Sequence, residues 1–448
     1  MEKTGLKQFG DTPVIPGKSF FSKRRIFDGI YILGFLCALI PGPFPSLSGL
    51  ASVLLLACIT VSFFDENFYL YMALFIYLRY RLLIGNTPAF RVYTYLIVLR
   101  FVLDLPKTKF RITYLPALFV FFLHSVFATG RFESLRVGFN VIIDCALVYI
   151  ILLRILPDTR LTRKFIFAFM LGGVASGIYG WTNTEFTKDI NVSGAGVHTV
   201  SRNFGALSDA NFAGLFYSLC IICSLTLKKL PVWLRCIFLT LFGVMLLQTA
   251  SLSAILILTL LSIFLIILKY RVKSVFILLF LFMGVVIAFT VLWSVPQFRE
   301  IEAIQGLLFR ITEKLSYIPR GRWDLLTTDR YAIWQEAIRI FSAKNLWGQL
   351  IGGSVVTVMV IDKTIFSIAC HNSYLQSILN FGIAGTLVIY LPLFATFTYR
   401  IIKHFSKQAG YENEDVKILQ LILPFAFITF GFTVDFFIDW PYMLLYFI

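Results

Sequence analysis

Residues 371–395 read HNSYLQSILNFGIAGTLVIYLPLFA, a polar start followed by an apolar stretch long enough to cross a bilayer. His371 and Asn372 open the segment, and Gly382 and Gly385 follow within its apolar part. On a regular α-helix, the steps from His371 to the two glycines return close to one face. At about 1.5 Å per residue, Gly382 lies roughly 16 Å below the imidazole. The segment therefore predicts a spanning helix with a titratable group at its water-facing end, above a glycine-lined groove.

The composition extends this prediction to the whole chain. Of 448 residues, 58% are apolar and 14% are charged, whereas soluble domains have about 25% charged residues. Mean hydropathy is +0.82. We therefore predict an all-α polytopic membrane protein with about 12 to 14 transmembrane helices. The predicted spans lie near residues 27–47, 49–64, 66–84, 88–106, 110–129, 137–155, 163–182, 210–227, 231–248, 250–268, 272–294, 372–395 and 417–435.

Lysine and arginine set the predicted orientation, because short cytoplasmic loops hold an excess of positive charge. The polar tail, residues 1–26, has six such residues and does not fit a cleavable signal peptide. With this tail in the cytoplasm, residues 27–448 form one transmembrane domain with two long extracytoplasmic loops, 183–209 and 295–370. We expect these loops to form the active site. The +16 net charge then mostly reflects the lysines and arginines of the cytoplasmic segments. No basic face is left for nucleic acid.

Three of the four histidines default to solvated or structural roles: His124, His198 and His404. His371 differs because it combines a helix start, a loop-membrane boundary and the glycine pair. Spacing alone does not decide whether His371 is a catalytic base or a structural hydrogen-bonding group. Cys370 is disfavoured as its nucleophilic partner, since neighbours on a helix point about 100° apart. The CxxC at Cys220 and Cys223 lies in an apolar helix and indicates packing.

The outer loop 295–370 contains one predicted amphipathic helix, residues 330–341, with Asp329 as its N-cap. Its apolar side chains recur at helical spacing: Trp334, Ala337, Ile338 and Phe341. We expect this helix to lie on the outer membrane surface or to pack over the bundle, with Arg330 facing a site. Upstream, the sequence PRGR at 319–322 predicts a tight basic turn.

Arg202, Arg330 and His371 fall on the same predicted side of the membrane and together fit a phosphate-bearing substrate. Arginine stays charged and binds phosphate oxygens bidentately, and imidazole takes a proton near neutral pH. Glycosyl transfer from a lipid diphosphate sugar needs both, because the acceptor hydroxyl loses a proton while the diphosphate gains charge. The outer loops have no Asp-x-Asp, HExxH or His/Cys ligand cluster, so we expect no metal or other cofactor. Each arginine alone also fits a headgroup anchor or a salt bridge.

These residues resemble the bacterial O-antigen ligase and O-antigen polymerase superfamily, over residues 195–395 in motifs and over the whole chain in topology. Three motifs carry the resemblance: His371-Asn372 with Gly382 and Gly385; Asp329-Arg330 with Trp334, Gly348 and Gly352-Gly353; and Arg202 with Asp209 and Asn211. Two positions depart from the family. Ala210-Asn211 stands where Pro-Asn is frequent, and Ser251-Leu252 stands where an arginine often follows the serine.

The resemblance implies a GT-C-like glycosyltransferase fold and metal-independent, inverting transfer at the bacterial inner membrane. It implies His371 as general base, with Arg330 and Arg202 holding an undecaprenyl diphosphate leaving group. Gly382 and Gly385 would then line a groove for the lipid chain or pack closely against another helix. The further predicted substrate contacts are Asn372, Trp334, Tyr374, Arg322, Asp209 and Asn211.

Polymerase and ligase differ in the acceptor, which is a lipid-linked repeat unit for one and lipid A-core for the other. Segments 330–353 and 371–385 look more like those of polysaccharide polymerases, so we favour a polymerase and keep the ligase as the alternative. The expected partners are the undecaprenyl-diphosphate-linked donor, one of these acceptors, the bilayer and, optionally, a chain-length regulator. A sugar-lipid transporter is a third interpretation. It predicts charges deep in many spans, where Arg100 and Asp144 are the few candidates.

Overall fold

The computed structural model describes residues 23–79, 81–105, 112–120, 143, 146–183, 185, 187–193, 197–207, 209–294, 302–322, 330–352, 357–361, 364–368, 370–406 and 414–433. The chain is mostly helical. Its helices are α1 (Lys23–Leu39), α2 (Ser48–Val61), α3 (Met72–Leu78), α4 (Ala89–Asp104), α5 (Thr159–Thr182), α6 (Ala210–Thr226), α7 (Val232–Gln248), α8 (Leu252–Tyr270), α9 (Ser274–Ser294), α10 (Glu302–Tyr317), α11 (Arg330–Ser342), α12 (Leu346–Ile351), α13 (Ser373–Ser406) and α14 (Glu414–Phe430). Residues 115–120 and Ala146–Ile155 are also helical.

Strands in the described residues pair as antiparallel hairpins: β1 (Leu83–Ile84) with β2 (Thr87–Pro88), β3 (Thr187–Ser193) with β4 (Val197–Asn203), and β5 (Thr357–Ile361) with β6 (Thr364–Ile368). None of these hairpins was predicted from the sequence. The last two lie in the predicted extracytoplasmic loops, so each long loop contains a hairpin. In β3–β4, Arg202 is opposite Lys188. The hairpin thereby fixes the backbone position of one predicted phosphate ligand.

Among the described residues, three helices are long and apolar enough to cross a membrane: Thr159–Thr182, Leu252–Gly284 and Ser373–Ser406. The second joins α8 to the start of α9 through a short 3-10 turn, Arg271–Lys273. Shorter apolar helices cover Pro45–Val61, Ala146–Ile155, Ala210–Thr226 and Val232–Gln248. These helices support an all-α membrane protein. The number of spans and their orientation stay predictions.

The predicted span 66–84 is not one continuous helix. A 3-10 helix, Glu66–Tyr71, leads into the short α3, and the β1–β2 hairpin follows. Every residue of α3 is buried, and the Tyr93 hydroxyl donates to the Phe68 carbonyl at 2.8 Å. A segment that is apolar on all sides and enclosed by protein has the same composition as a lipid-facing span. The predicted span 110–129 lies mostly outside the described residues, whereas the second half of the predicted span 137–155 is helical over Ala146–Ile155.

An ion pair joins the beginnings of α5 and α14. Arg163 donates to both carboxylate oxygens of Asp415, at 3.0 and 2.8 Å, and the Asp415 side chain is only 2% exposed. A bidentate pair of this kind is strong and strictly oriented. Loss of one partner would leave a buried charge without compensation. The pair therefore fixes these two helices at the face predicted to be cytoplasmic.

Helix α13 is broken at Gly382, where φ is +66° and ψ is −176°. The expected regular helix through 371–385 is therefore wrong, and the same-face argument for the two glycines does not hold. Gly352, which ends α12 with a φ of +90°, packs against this break. A Cβ added at either Gly352 or Gly382 would lie 2.6 Å from the backbone nitrogen of the other. Close backbone packing, rather than an open groove, surrounds Gly382.

Two further contacts support the break. The Lys344 ammonium donates to the Leu379 carbonyl at 2.9 Å, in the last turn before Gly382. A Cβ added at Gly385 would lie 2.7 Å from the Phe381 Cβ. The first piece of α13 is thus held at its C-terminal end, next to Gly382, by side-chain and backbone contacts. His371 lies two residues before the opposite end of this piece, which begins at Ser373.

Gly382→Ala should destabilise the protein. A φ of +66° with a ψ of −176° lies in a region that essentially only glycine adopts, at a cost of roughly 1–3 kcal/mol for alanine, and the alanine Cβ would in addition overlap the Leu350 carbonyl oxygen. We expect a lower melting temperature for the detergent-solubilised protein. Gly243→Ala in α7 is the matched control, because a Cβ there meets nothing within 4 Å and alanine favours a helix. Equal melting temperatures for wild type and Gly382→Ala would contradict the packing role.

Candidate active site

Arg202, Asp209, Arg330 and His371 come together in the structure although they belong to four separate elements. Arg202 is the penultimate residue of β4, Asp209 precedes α6, Arg330 begins α11, and His371 precedes α13. Desolvation lowers the pKa of Arg202, Arg330 and His371, Arg330 further lowers the pKa of Arg202 and of His371, and Asp209 raises the pKa of all three. Two predicted phosphate ligands and the predicted base therefore share one site.

Arg202 is fixed by the protein at one edge of its guanidinium. Its Nε donates to the Thr249 carbonyl at 2.8 Å, and a terminal nitrogen donates to Asn211 Oδ1 at 3.2 Å. Asn211 Oδ1 also accepts from the Ser251 hydroxyl at 2.8 Å. The turn between α7 and α8 thus orients Arg202. Because guanidinium has five N–H donors, donors remain for a ligand.

Asp209 is the N-cap of α6. Its carboxylate accepts from the backbone N–H groups of Asn211, at 2.7 Å, and Phe212, at 3.4 Å. Its negative charge opposes the effect of desolvation, which lowers the pKa of both Arg202 and Arg330. Asp209 therefore helps to keep two neighbouring guanidinium groups charged. Its backbone partners account for its position without any substrate.

Arg330 is half-buried at the start of α11. Across the described chain, its guanidinium forms no hydrogen bond or ion pair. Desolvation lowers its pKa, and Asp209 raises it. A partly desolvated cation with all its donors available is poised to bind an anion, because a charge-assisted bidentate contact would satisfy it.

The packing of α11 explains how Arg330 is placed. Ala337 is buried against Cys370 and Leu379, next to the start of α13, whereas Ile338 is 54% exposed. Two locations were predicted for α11, on the membrane surface or over the bundle. The contacts of Ala337 fit packing over the bundle. The predicted N-cap Asp329 lies outside the described residues.

Both backbone groups of Cys370, the residue before His371, are held by side chains. The Cys370 N–H donates to Gln376 Oε1 at 2.9 Å, and its carbonyl accepts from Trp334 Nε1 at 3.0 Å. Asn372 then caps α13, because its Oδ1 accepts from the N–H groups of Tyr374 and Leu375, both at 3.0 Å. His371 itself has a φ of +50°, which is uncommon for a residue with a side chain. The surrounding contacts hold it there.

The His371 imidazole remains exposed and makes no hydrogen bond in the described part of the chain. Partial desolvation by the surrounding protein lowers its pKa, Arg330 lowers it further, and Asp209 opposes both. The imidazole is therefore neutral at neutral pH, with a free nitrogen to accept a proton.

Other predicted site residues have structural partners. The Tyr374 hydroxyl donates to the Ile428 carbonyl at 2.7 Å, and its ring centroid lies 4.8 Å from that of Tyr390. Arg322 is exposed after α10, in the predicted turn, where Gly321 has a φ of +62°. A substrate contact for either residue stays a prediction. His404, expected to be solvated, is half-buried with Nε2 3.0 Å from the Leu268 carbonyl oxygen.

Comparison with known protein families gives a match over residues 236–390, to the family described as O-antigen ligase. This domain supports an O-antigen ligase/polymerase-like family. The family resemblance predicted from the motifs is confirmed. Comparisons with curated proteins and with solved structures find no match.

The O-antigen ligase-type domain contains Arg330 and His371, whereas Arg202 and Asp209 precede it. The structure thus joins two residues of the matched region to two residues outside it. Members of this family are glycosyltransferase-like ligases and polymerases, which supports an enzyme. Together with the apolar helices, the match also supports an inner-membrane protein of polysaccharide biosynthesis.

Gln376, Thr249 and Ser251 were not predicted as parts of the site. Gln376 had a detectable signal, since a glutamine within an apolar segment needs a hydrogen-bonding partner when it is buried. Thr249 acts on Arg202 through its backbone carbonyl, which any residue could supply. No sequence pattern identifies such a contact.

Proposed function

We propose that this protein is a membrane glycosyltransferase that polymerises undecaprenyl-diphosphate-linked repeat units into O-antigen or another surface polysaccharide. The reaction takes place on the outer face of the cytoplasmic membrane, inverts the anomeric carbon and needs no metal. One observation carries the proposal: neither the His371 imidazole nor the Arg330 guanidinium is bonded within the described chain, and Arg330 acts electrostatically on both His371 and the oriented Arg202.

The geometry supports a single displacement. His371 takes the proton of the acceptor hydroxyl, whose oxygen attacks the anomeric carbon of the donor. The bond between that carbon and the diphosphate oxygen breaks on the opposite side, and the diphosphate leaves with the electron pair. Arg330 and Arg202 bind the oxygens on which charge builds up. Attack opposite the leaving group inverts the anomeric configuration.

The charges of the site agree with this assignment. Arg202 and Arg330 contribute two positive charges and Asp209 contributes one negative charge, so the site retains an excess of +1 with His371 neutral. A diphosphate would compensate that excess. Two arginines in one site also favour a diphosphate over a carboxylate, because together they can engage two phosphoryl groups at once.

A ligase that transfers the finished glycan to lipid A-core is the second candidate. The description of the matched family, O-antigen ligase, favours it. Both reactions use the same base and the same leaving group, so the described site serves either. The transporter interpretation has less support: Arg100 is paired with Asp104 at 2.8 Å, and Asp144 lies outside the described residues.

Deletion of the gene should separate the candidates. For a polymerase, the surface glycan of the deletion strain should show a single repeat unit on core, because ligation continues while extension stops. For a ligase, glycan on core should disappear while lipid-linked polymer accumulates. Gel electrophoresis of surface glycan and of the extracted lipid-linked pool measures both. Complementation with the wild-type gene is the control.

An unchanged glycan pattern in the deletion strain would contradict both transferase assignments. Accumulation of unpolymerised lipid-linked repeat units on the cytoplasmic side would instead support the transporter interpretation. A glycosidase is added to sealed vesicles of known orientation, and the fraction of units that the membrane protects from cleavage shows on which side they lie.

A further inference from the structure

The tightest set of contacts near the candidate base involves Cys370, whose side chain is fully buried. Its N–H and its carbonyl are held from two directions, by Gln376 of α13 and by Trp334 of α11. Gln376 is itself 1% exposed, and its amide nitrogen donates to Asn380 Oδ1 at 2.9 Å. The peptide unit that leads into His371 is therefore bonded to two helices.

Trp334 lies four residues after Arg330, one turn further along α11. Residues four apart share a helix face. The bond from the Trp334 indole to the Cys370 carbonyl thus links the helix that carries the arginine to the residue next to the histidine. Among the described contacts, it connects the candidate base to the helix of the candidate phosphate ligand through one hydrogen bond.

The backbone of His371 needs such support. A φ of +50° is unfavourable for a residue with a Cβ, so the conformation persists only where surrounding contacts determine it. Cys370 is held on one side of His371, and on the other side the Ser373 N–H donates to the Gly431 carbonyl at 2.7 Å. Loss of the Trp334 bond would release one of these anchors.

We propose that Trp334 is a positioning residue, whose indole N–H fixes the separation between His371 and Arg330, and that Gln376 holds the same peptide unit from α13. The inference rests on the proposed function. The base must reach the acceptor hydroxyl on one side of the anomeric carbon while the arginine reaches the diphosphate on the other. A misplacement of about 1 Å can cost about 10²-fold in rate.

Trp334→Phe in the full-length purified protein tests the role of the indole N–H, because phenylalanine keeps an aromatic ring and removes the donor. We expect kcat to fall by about 10- to 100-fold, while KM for the lipid-linked donor stays unchanged. A raised KM with unchanged kcat would overturn the proposal and make Trp334 a substrate contact.

A second readout does not require turnover. The rate at which diethyl pyrocarbonate modifies His371, followed by peptide mass spectrometry over a pH range, reports the pKa of this imidazole. The charged groups that act on it are Arg330 of α11 and Asp209 before α6. In Trp334→Phe, the imidazole should move away from Arg330 and gain solvent, so its pKa should rise toward its usual value. An unchanged titration together with unchanged kcat would overturn the proposal.

Gln376 gives a graded test. Gln376→Met removes both hydrogen bonds and should lower kcat as Trp334→Phe does, whereas Gln376→Glu keeps an acceptor for the Cys370 N–H and should restore part of the activity. Trp347→Phe on α12 is the control, since Trp347 is 70% exposed, and it should retain wild-type kcat. If wild type shows no turnover, the proposed function fails, and the titration of His371 still decides the positioning role.

Discussion

His371→Gln should lower kcat by about 10²- to 10⁴-fold, the usual contribution of a general base. Glutamine approximates the reach and hydrogen bonding of histidine but takes no proton at neutral pH. KM for the lipid-linked donor should change little, because the imidazole acts on the acceptor hydroxyl. Product formation from purified protein and a lipid-linked repeat unit measures both constants. Retention of wild-type kcat would remove the general-base assignment.

The pH profile of wild type provides an independent check of the same residue. A base must be unprotonated, so activity should fall as the pH drops through the pKa of His371. Desolvation and Arg330 lower that pKa below its usual value of about 6.5. Activity should therefore be complete at neutral pH and decline only in more acidic solution. The residual activity of His371→Gln should lack this acidic limb, and His404→Gln should preserve it.

Helix boundaries were predictable where they depend on the composition or periodicity of the segment itself. The predicted helix 330–341 corresponds to α11, Arg330–Ser342, and the predicted span 210–227 corresponds to α6, Ala210–Thr226. The break in α13 was not predictable in this way. A glycine within an apolar stretch is compatible with a regular helix, and only the approach of Gly352 explains the left-handed backbone at Gly382.

The candidate site shows the same division. Sequence and topology placed Arg202, Arg330 and His371 on one side of the membrane, and the structure brings all three together. The partners that orient them come from elsewhere in the chain. Thr249 holds Arg202 across 47 positions, and Trp334 holds Cys370 across 36. A spacing motif cannot express such contacts, so residues predicted to touch substrate, such as Trp334, proved to have partners within the protein.

Arg330→Lys should lower kcat by about 10²- to 10³-fold, comparable to the loss of one donor that stabilises a developing negative charge. Lysine keeps the charge but offers a point contact in place of the planar fork that engages phosphate oxygens. The desolvation that lowers the pKa of Arg330 would also lower the pKa of a lysine there, against the opposing effect of Asp209. The residual activity should therefore decline as the pH rises toward the usual lysine pKa of about 10.4, where wild type keeps its charge.

Arg339→Lys provides the matched control on the same helix. Arg339 is 69% exposed and pairs with Glu336 at 2.6 Å, so lysine can replace it in water with little effect. We expect wild-type kcat for Arg339→Lys, measured in the same preparation and lipid as Arg330→Lys. If both variants turned over normally, Arg330 would be an anchor for lipid headgroups. The leaving-group charge would then have to be stabilised by Arg202 without it, and Arg202→Lys would become the variant with the large loss of kcat.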